Sequence, residues 1–188
     1  MRSLSHHLAV LFTLVVGSSR IVAADAVAPK VGQPARNFTL STLDDRTVEL
    51  RSLTAKGPVV LVVLRGWPGY QCPVCTRQVN DFVSRADNFV ARGAQVIMVY
   101  PGPAGDLKAH ASEFLENKQW PRDFIFVLDP AYSLTESYGL RWNAKNETAY
   151  PSTFVIDRGG IIRFALVSTT HGGRASAQAA LDALPPRE

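Results

Sequence analysis

The chain has 188 residues, enough for one domain with an arm and too few for two large ones. Hydrophobic residues make up 46% and charged residues 19%, which excludes a disordered chain and supplies a packed core. Two cysteines, Cys72 and Cys75, are too few for a disulfide framework, and a net charge of +4 without a lysine or arginine run argues against nucleic acid as a partner.

Arg2, His6 and His7 precede an apolar run at residues 8–16, and small residues ending Val22-Ala23-Ala24 follow. This order predicts a secretory signal peptide over residues 1–24, cleaved after Ala24. The run falls short of the roughly 20 apolar residues that span a bilayer, and Arg20 interrupts it. No stable membrane insertion is therefore expected after cleavage. Removal takes Arg2 and Arg20 and no acid, leaving 164 residues with a net charge of +2. The expected destination is exported, periplasmic or secreted, where oxidation makes a close cysteine pair matter.

Residues 25–36 lack periodicity and carry two prolines, so they read as an N-terminal arm leading into a domain over residues 37–188. Short β-prone runs at 38–41 and 47–50 flank Asp44-Asp45-Arg46, a hairpin pattern. Residues 59–64 are six consecutive apolar residues, the pattern of a strand buried on both faces. A Gly/Pro loop over 65–71 leads to the cysteines. Cys75, Val79, Phe82, Val83, Ala86, Phe89 and Val90 then share one helical face, with Gly93 as the stop. A strand is expected at 95–100, a helix at 106–117 with Leu107, Ala111, Phe114 and Leu115 on one face, and a strand at 124–128. A short helix over 133–138 ends at Gly139. Strands at 152–157 and 161–167 flank Arg158-Gly159-Gly160 as a hairpin. Ala177, Ala180, Leu181 and Leu184 mark a last helix, stopped by Pro185-Pro186. The order predicts a three-layer α/β fold with a mixed β-sheet flanked by helices, its early strands parallel and its late hairpin antiparallel.

Cys72-Pro-Val-Cys75 stands where a buried strand gives way to an amphipathic helix. The first turn of a helix offers unpaired N–H groups and the positive end of the dipole, and both stabilise a thiolate. Pro73 suits the first helical position. A Cys-x-x-Cys pair in a βαβ setting signals redox work. As a structural disulfide it would close too short a loop to constrain much chain entropy. A zinc site needs about four ligands, and only His110 and His171 remain in the mature chain, distant and unclustered. No metal or other cofactor is expected.

The chain resembles the thioredoxin-like superfamily, in its peroxiredoxin (alkyl hydroperoxide reductase/thiol-specific antioxidant, or redoxin) branch, over roughly residues 31–184. The likeness rests on the opening Val31-Gly-Gln-Pro-Ala-Arg-Asn-Phe38, on Pro68-Gly-Tyr-Gln-Cys72-Pro-Val-Cys75, on Tyr138-Gly139, and on Pro151-Ser-Thr-Phe-Val-Ile-Asp157-Arg-Gly-Gly160. The resemblance implies a thioredoxin-like fold and a thiol-based antioxidant oxidoreductase that cycles Cys72 and Cys75 between dithiol and disulfide. In the family pattern Pro-x-x-x-Thr-x-x-Cys the last cysteine attacks a hydroperoxide. Pro68 and Cys75 match it, while Cys72 occupies the threonine position. Cys75 would then be oxidised and Cys72 would resolve it. The family's arginine before the penultimate strand is missing, since the segment reads Tyr150-Pro151-Ser152. The alternative is a thioredoxin- or TlpA-like thiol–disulfide oxidoreductase acting on protein disulfides. There Cys72 would attack, Cys75 would resolve, and Pro151 would be a cis-proline facing the pair. A non-catalytic thioredoxin-fold binding module is a third reading. Either enzyme implies an external thiol reductant, thioredoxin-like or membrane-linked.

In a sheet of this kind the loop after residue 167 returns to the cysteine pole. His171 and Arg174 are then candidates for lowering a cysteine pKa or polarising a peroxide. Arg65, Trp67 and Tyr70 line the loop before Cys72 and are candidates for shaping an entrance. Trp120 and Trp142 read as packing residues. Asn146-Glu-Thr148 matches a glycosylation acceptor pattern.

Overall fold

The computed structural model describes residues 26–186, so the signal peptide expected over residues 1–24 lies outside the described residues. Seven strands form one mixed sheet in the order β2-β1-β5-β4-β3-β6-β7. A first hairpin, β1 (Thr39–Thr42) and β2 (Thr47–Glu49), runs into a short helix α1 (Leu50–Thr54). The central strand β3 (Val59–Val63) is buried along its whole length, as its unbroken apolar run requires. Helices α2 (Pro73–Val83) and α3 (Ala86–Ala91) follow, then β4 (Gln95–Gly102), α4 (Leu107–Leu115), β5 (Phe124–Pro130) and α5 (Ser133–Ser137). The chain closes with β6 (Ser152–Ile156), β7 (Ile162–Val167) and α6 (Ala177–Asp182).

Strands β3, β4 and β5 are parallel, and β6 lies antiparallel to β3 with Ser152 opposite Val63. Strand β7 is antiparallel to β6 and ends with Val167 opposite Ser152. The end of β3, the start of β6 and the end of β7 therefore meet at one pole of the sheet, and the cysteine segment leaves from there. Two apolar layers cover the faces. One, under α2, α3, α4 and α6, contains Val62, Leu64, Val79, Phe82, Phe89, Phe114 and both cysteines. The other, on the opposite face, contains Leu61, Val63, Leu134, Tyr138 and Phe154. Full burial of a side chain such as Phe82 contributes about 1.5–3 kcal/mol.

Three local features differ from the expectation. The stretch read as one helical face from Cys75 to Val90 is two helices, broken at Ser84 and Arg85. The Ser84 hydroxyl and the Arg85 guanidinium both donate to the Asp81 carbonyl, competing with the regular ladder. Phe82 and Phe89 still stack across the break, with centroids 5.6 Å apart, whereas Val90 is exposed. The second strand stops at Glu49, and Leu50 instead opens α1, its side chain buried. The arm also joins the body of the fold. Gly32 N–H donates to the Ile162 carbonyl, Ile162 N–H to that of Gln33, and Ala35 N–H to that of Gly160, which occupies the first part of the free edge of β7.

The loop that carries the site begins with a tight turn. Gly66 has φ +68°, and Trp67 N–H donates to the Pro101 carbonyl at 2.9 Å. A Cβ at residue 66 would run into that carbonyl oxygen and would sit on a left-handed backbone. Gly66→Ala is expected to destabilise the protein by about 1–3 kcal/mol, read as a lowered denaturation midpoint. An unchanged midpoint would show that the turn relaxes freely.

Candidate active site

Cys72 is the N-cap of α2, with extended backbone angles (φ −76°, ψ 112°), and Pro73 fills the first helical position. The Cys72 Sγ accepts a hydrogen bond from the Cys75 N–H at 3.4 Å, taking the role that a serine or aspartate oxygen plays at most helix starts. Both cysteines are free thiols and both are buried, Cys72 with 2% of its surface exposed and Cys75 with none.

The two sulfurs are electrostatically unequal. The Cys72 pKa is held well below the ordinary thiol value. The largest contribution is the hydrogen bond from the Cys75 thiol, which outweighs burial. The Cys75 N–H, the Arg174 charge and, least, Arg65 add to it. Cys75 is pushed up, first by desolvation and then by its role as donor to Cys72. Both directions favour the negative charge on Cys72 and the proton on Cys75.

Positive charge arrives from two loops. Arg174, after β7, reaches Cys75 Sγ with Nη1 at 3.4 Å and Cys72 Sγ with Nη2 at 3.9 Å. It is fixed by Gln78 Oε1 at 3.0 Å and by the His171 carbonyl at 3.0 Å. Gln78, one turn beyond Cys75 on α2, also donates to the Ala175 carbonyl, and Asp81, a further turn on, accepts from Ala177 N–H at 2.7 Å. One face of α2 thus carries the sulfur, the holder of its cation and the anchor of α6. Arg65, at the end of β3, is 2% exposed. It donates to Glu147 Oε2 at 2.5 Å, to Tyr70 Oη at 2.5 Å and to the Asn146 carbonyl at 2.7 Å. Burial alone would lower the Arg65 pKa, but the bonds to Glu147 and Tyr70 override it and raise it.

The remaining sequence candidates fall around this centre. His171 does not reach a sulfur; its Nε2 lies 2.8 Å from Glu147 Oε1, and its ring sits beside Trp142. Tyr70 packs its ring under the Arg65 guanidinium, 5.1 Å away, and is half exposed. Trp67 stacks on His110 with centroids 3.6 Å apart, so its ring is engaged with α4. Pro68 lies partly buried in the 65–71 loop. Pro151 is buried at the start of β6 and its carbonyl accepts from Ser168 N–H, which ties β6 to the loop bearing His171 and Arg174. No peptide bond among the described residues is cis, so the cis-proline expected at Pro151 is a trans proline opening a strand. Trp142, read as a packing residue, stacks on Tyr150 at 4.8 Å and borders His171.

Glu147, Gln78 and the Gln71–Tyr100 pair were not legible as site residues. Tyr100, fully buried, donates to Gln71 Oε1 at 2.9 Å, and Gln71 donates onward to the His110 carbonyl. Desolvation first, then the nearby sulfurs, raise the Tyr100 pKa, so it stays a neutral donor. The helical spacing from Cys75 to Gln78 was the one available signal. Glu147 gave none.

A buried dithiol at the first turn of a helix, on a mixed sheet of this topology, defines a thioredoxin-fold thiol protein. The AhpC/TSA family matches residues 31–165, and the chain belongs to that family. It is 29% identical over 148 residues to chloroplastic peroxiredoxin Q of Oryza sativa subsp. japonica, covering 79% of this chain and 62% of that protein. The chain therefore spans a little under two thirds of that relative's length. It is 27% identical over 139 residues to the thiol-disulfide oxidoreductase ResA of Halalkalibacterium halodurans, covering 74% of this chain and 69% of that protein. In fold it is similar to the crystal structure of peroxidoxin BcpB from Mycobacterium tuberculosis, with a TM-score of 0.63 at 21% identity, covering 82% of this chain and 95% of that one.

The electrostatics give a direct expectation. In the reduced protein, thiolate ultraviolet absorbance should develop at a pH well below the ordinary thiol range and disappear in Cys72→Ser. Because Arg174 favours the charged form, Arg174→Gln should move that midpoint upward. A midpoint at the ordinary value in the wild type, or a signal lost only in Cys75→Ser, would contradict the assignment.

Proposed function

We propose that the chain is a thiol-dependent oxidoreductase that reduces hydroperoxides, with Cys72 as the attacking thiolate and Cys75 as the resolving thiol. The observation that carries this reading is the Arg174 guanidinium lying across both sulfurs beside a Cys72 that is almost out of contact with solvent. A sulfur so enclosed admits a small oxidant more readily than a folded protein disulfide. The guanidinium supplies, from a different segment, the polarising charge that the Tyr150-Pro151-Ser152 stretch lacks. Family membership and the peroxiredoxin Q relative favour the same substrate class. The assignment of attack to Cys72 departs from the family pattern, which places it on Cys75, and rests on the lowered Cys72 and raised Cys75 pKa.

The steps balance as a two-electron cycle. The Cys72 thiolate attacks the terminal peroxide oxygen and the O–O bond breaks. The departing oxygen takes a proton and leaves as water or an alcohol, and Cys72 becomes a sulfenic acid. Arg174 stabilises the charge that builds on the departing oxygen. Cys75 sulfur then displaces the sulfenic oxygen as water and closes the Cys72–Cys75 disulfide. An external dithiol reductant restores both thiols by exchange and is itself oxidised to a disulfide. The cycle as written needs no metal or organic cofactor. Export to an oxidising compartment belongs to the same proposal and is supported by the pattern of residues 1–24.

A second reading, disulfide exchange with a protein partner, is favoured by the N-cap position of Cys72 and by the ResA relative. One experiment separates the two. The reduced protein is mixed with stoichiometric hydrogen peroxide or with a disulfide substrate, and thiol loss is followed in the wild type and in Cys→Ser variants. Fast peroxide reaction is expected in the wild type and in Cys75→Ser, where the sulfenic acid accumulates, and none in Cys72→Ser. Arg174→Gln should slow it about tenfold or more, since a hydrogen bond to a charged group contributes about 1.5–3 kcal/mol. Slow peroxide reaction with fast Cys72-dependent exchange would install the second reading. Fast reaction that survives Cys72→Ser would move the attack to Cys75.

A further inference from the structure

The Glu147 carboxylate divides its two oxygens between the two loops that supply positive charge. Oε2 takes Arg65 Nε at 2.5 Å, and Oε1 takes His171 Nε2 at 2.8 Å. Arg65 adds a small share to the lowering of the Cys72 pKa. His171, through its carbonyl, holds Arg174 Nε at 3.0 Å, and Arg174 spans both sulfurs. The Arg65–Glu147 pair is nearly out of water, with side-chain exposures of 3% and 10%, so its geometry is little loosened by solvent.

The support behind Glu147 is itself rigid. Arg141 and Ala149 form a bridge, Trp142 N–H donates to the Thr148 carbonyl, and Arg141 donates to the carbonyls of Trp142, Glu147 and Thr148. The Thr148 hydroxyl donates to the Arg65 carbonyl, locking the loop to the end of β3. Trp142, stacked on Tyr150, walls in the His171 ring. A loop this heavily bonded is built to deliver one side chain to one place.

We infer that Glu147 is a positioning residue for the redox centre: it clamps Arg65 at the end of β3 to the Arg174 loop through His171, so that the Arg174 guanidinium stays across the Cys72–Cys75 pair. The inference rests on the reading of Cys72 as the thiolate. It adds a role for a residue that touches neither sulfur.

The role has a distinctive electrostatic sign. As a mere neighbouring anion, Glu147 would repel a thiolate, and removing its charge would lower the Cys72 pKa. As a clamp, its removal lets the Arg174 guanidinium drift from the sulfurs, and the Cys72 pKa rises. The test is the pH midpoint of thiolate absorbance in the reduced full chain, compared among wild type, Glu147→Gln and Glu147→Asp. Glu147→Gln is expected to raise the midpoint by about one unit, a tenfold loss of thiolate at a pH below both midpoints. Glu147→Asp keeps the charge but shortens the reach and should raise it less. It serves as the readout if the glutamine variant does not fold. A midpoint that falls or stays fixed in a folded variant overturns the clamp. The same titration in Cys72→Ser keeps the two levels apart. Loss of the signal there with no response to Glu147 sinks only the clamp. A signal that persists there removes the Cys72 reading and the inference with it.

Discussion

A thiolate kept away from water must be matched by positive charge brought to it by the fold. Desolvation alone would drive the Cys72 proton back onto sulfur, as it does for Cys75. The α2 N-terminus provides part of the match, since the Cys75 N–H points at the Cys72 sulfur. The dipole of one short helix start is worth well under the cost of burying an ion. The rest comes from Arg65 and Arg174, which are 109 positions apart in sequence. The sheet topology exists around that convergence: β3 carries Arg65 to the pole, and β6 and β7 return Arg174 to it.

The same arrangement divides labour between two chemically identical side chains. Cys72 sits before the helix and accepts; Cys75 sits within its first turn and donates. The thiol–thiolate hydrogen bond is both the largest stabiliser of the Cys72 anion and the contact that places the resolving sulfur beside the reacting one. In the proposed cycle, attack and resolution then take place within the first turn of α2. Gln78 and Asp81 carry the order further along the helix by fixing Arg174 and the start of α6, so the helix that presents the sulfurs also governs the loop opposite them.

Sequence revealed those parts of the site that local physics determines. The buried run of β3, the cysteine spacing and the proline at the first helical position are periodicity and capping effects, readable within a dozen residues. Arg174 was within reach only after a sheet topology had been assumed, because its distance from Cys72 is closed by the antiparallel return of β6 and β7. Glu147 was not within reach. It lies 82 residues from Arg65 in an irregular loop, inside a segment whose visible pattern, Asn146-Glu-Thr148, suggested only glycosylation. The helix break at Ser84 escaped for a different reason. Phe82 and Phe89 keep the apolar face continuous across it, so periodicity alone reads straight through. The trans bond at Pro151 likewise shows that a proline before a strand can serve as an ordinary strand opener, its carbonyl spent on Ser168.

A buried Arg–Glu pair is a poor source of net stability, because desolvating two ions costs roughly what their attraction returns. Apolar residues of the same volume would hold the 141–149 loop at least as well. What such residues would not do is fix a guanidinium at a set distance from a sulfur whose charge changes during each cycle. In the proposed cycle, oxidation of Cys72 removes its negative charge, and Arg174 loses that anion in a low-dielectric setting. Glu147 is the carboxylate in contact with that system, and it keeps Arg65 neutralised while the thiolate is absent. The presence of this buried pair is better explained by that alternation of charge than by folding stability. The pair keeps Arg65 from being a buried unpaired cation whatever the charge on the sulfur. In that sense the site carries four charges, two guanidinium groups, one carboxylate and one thiolate, and only the one on sulfur turns over.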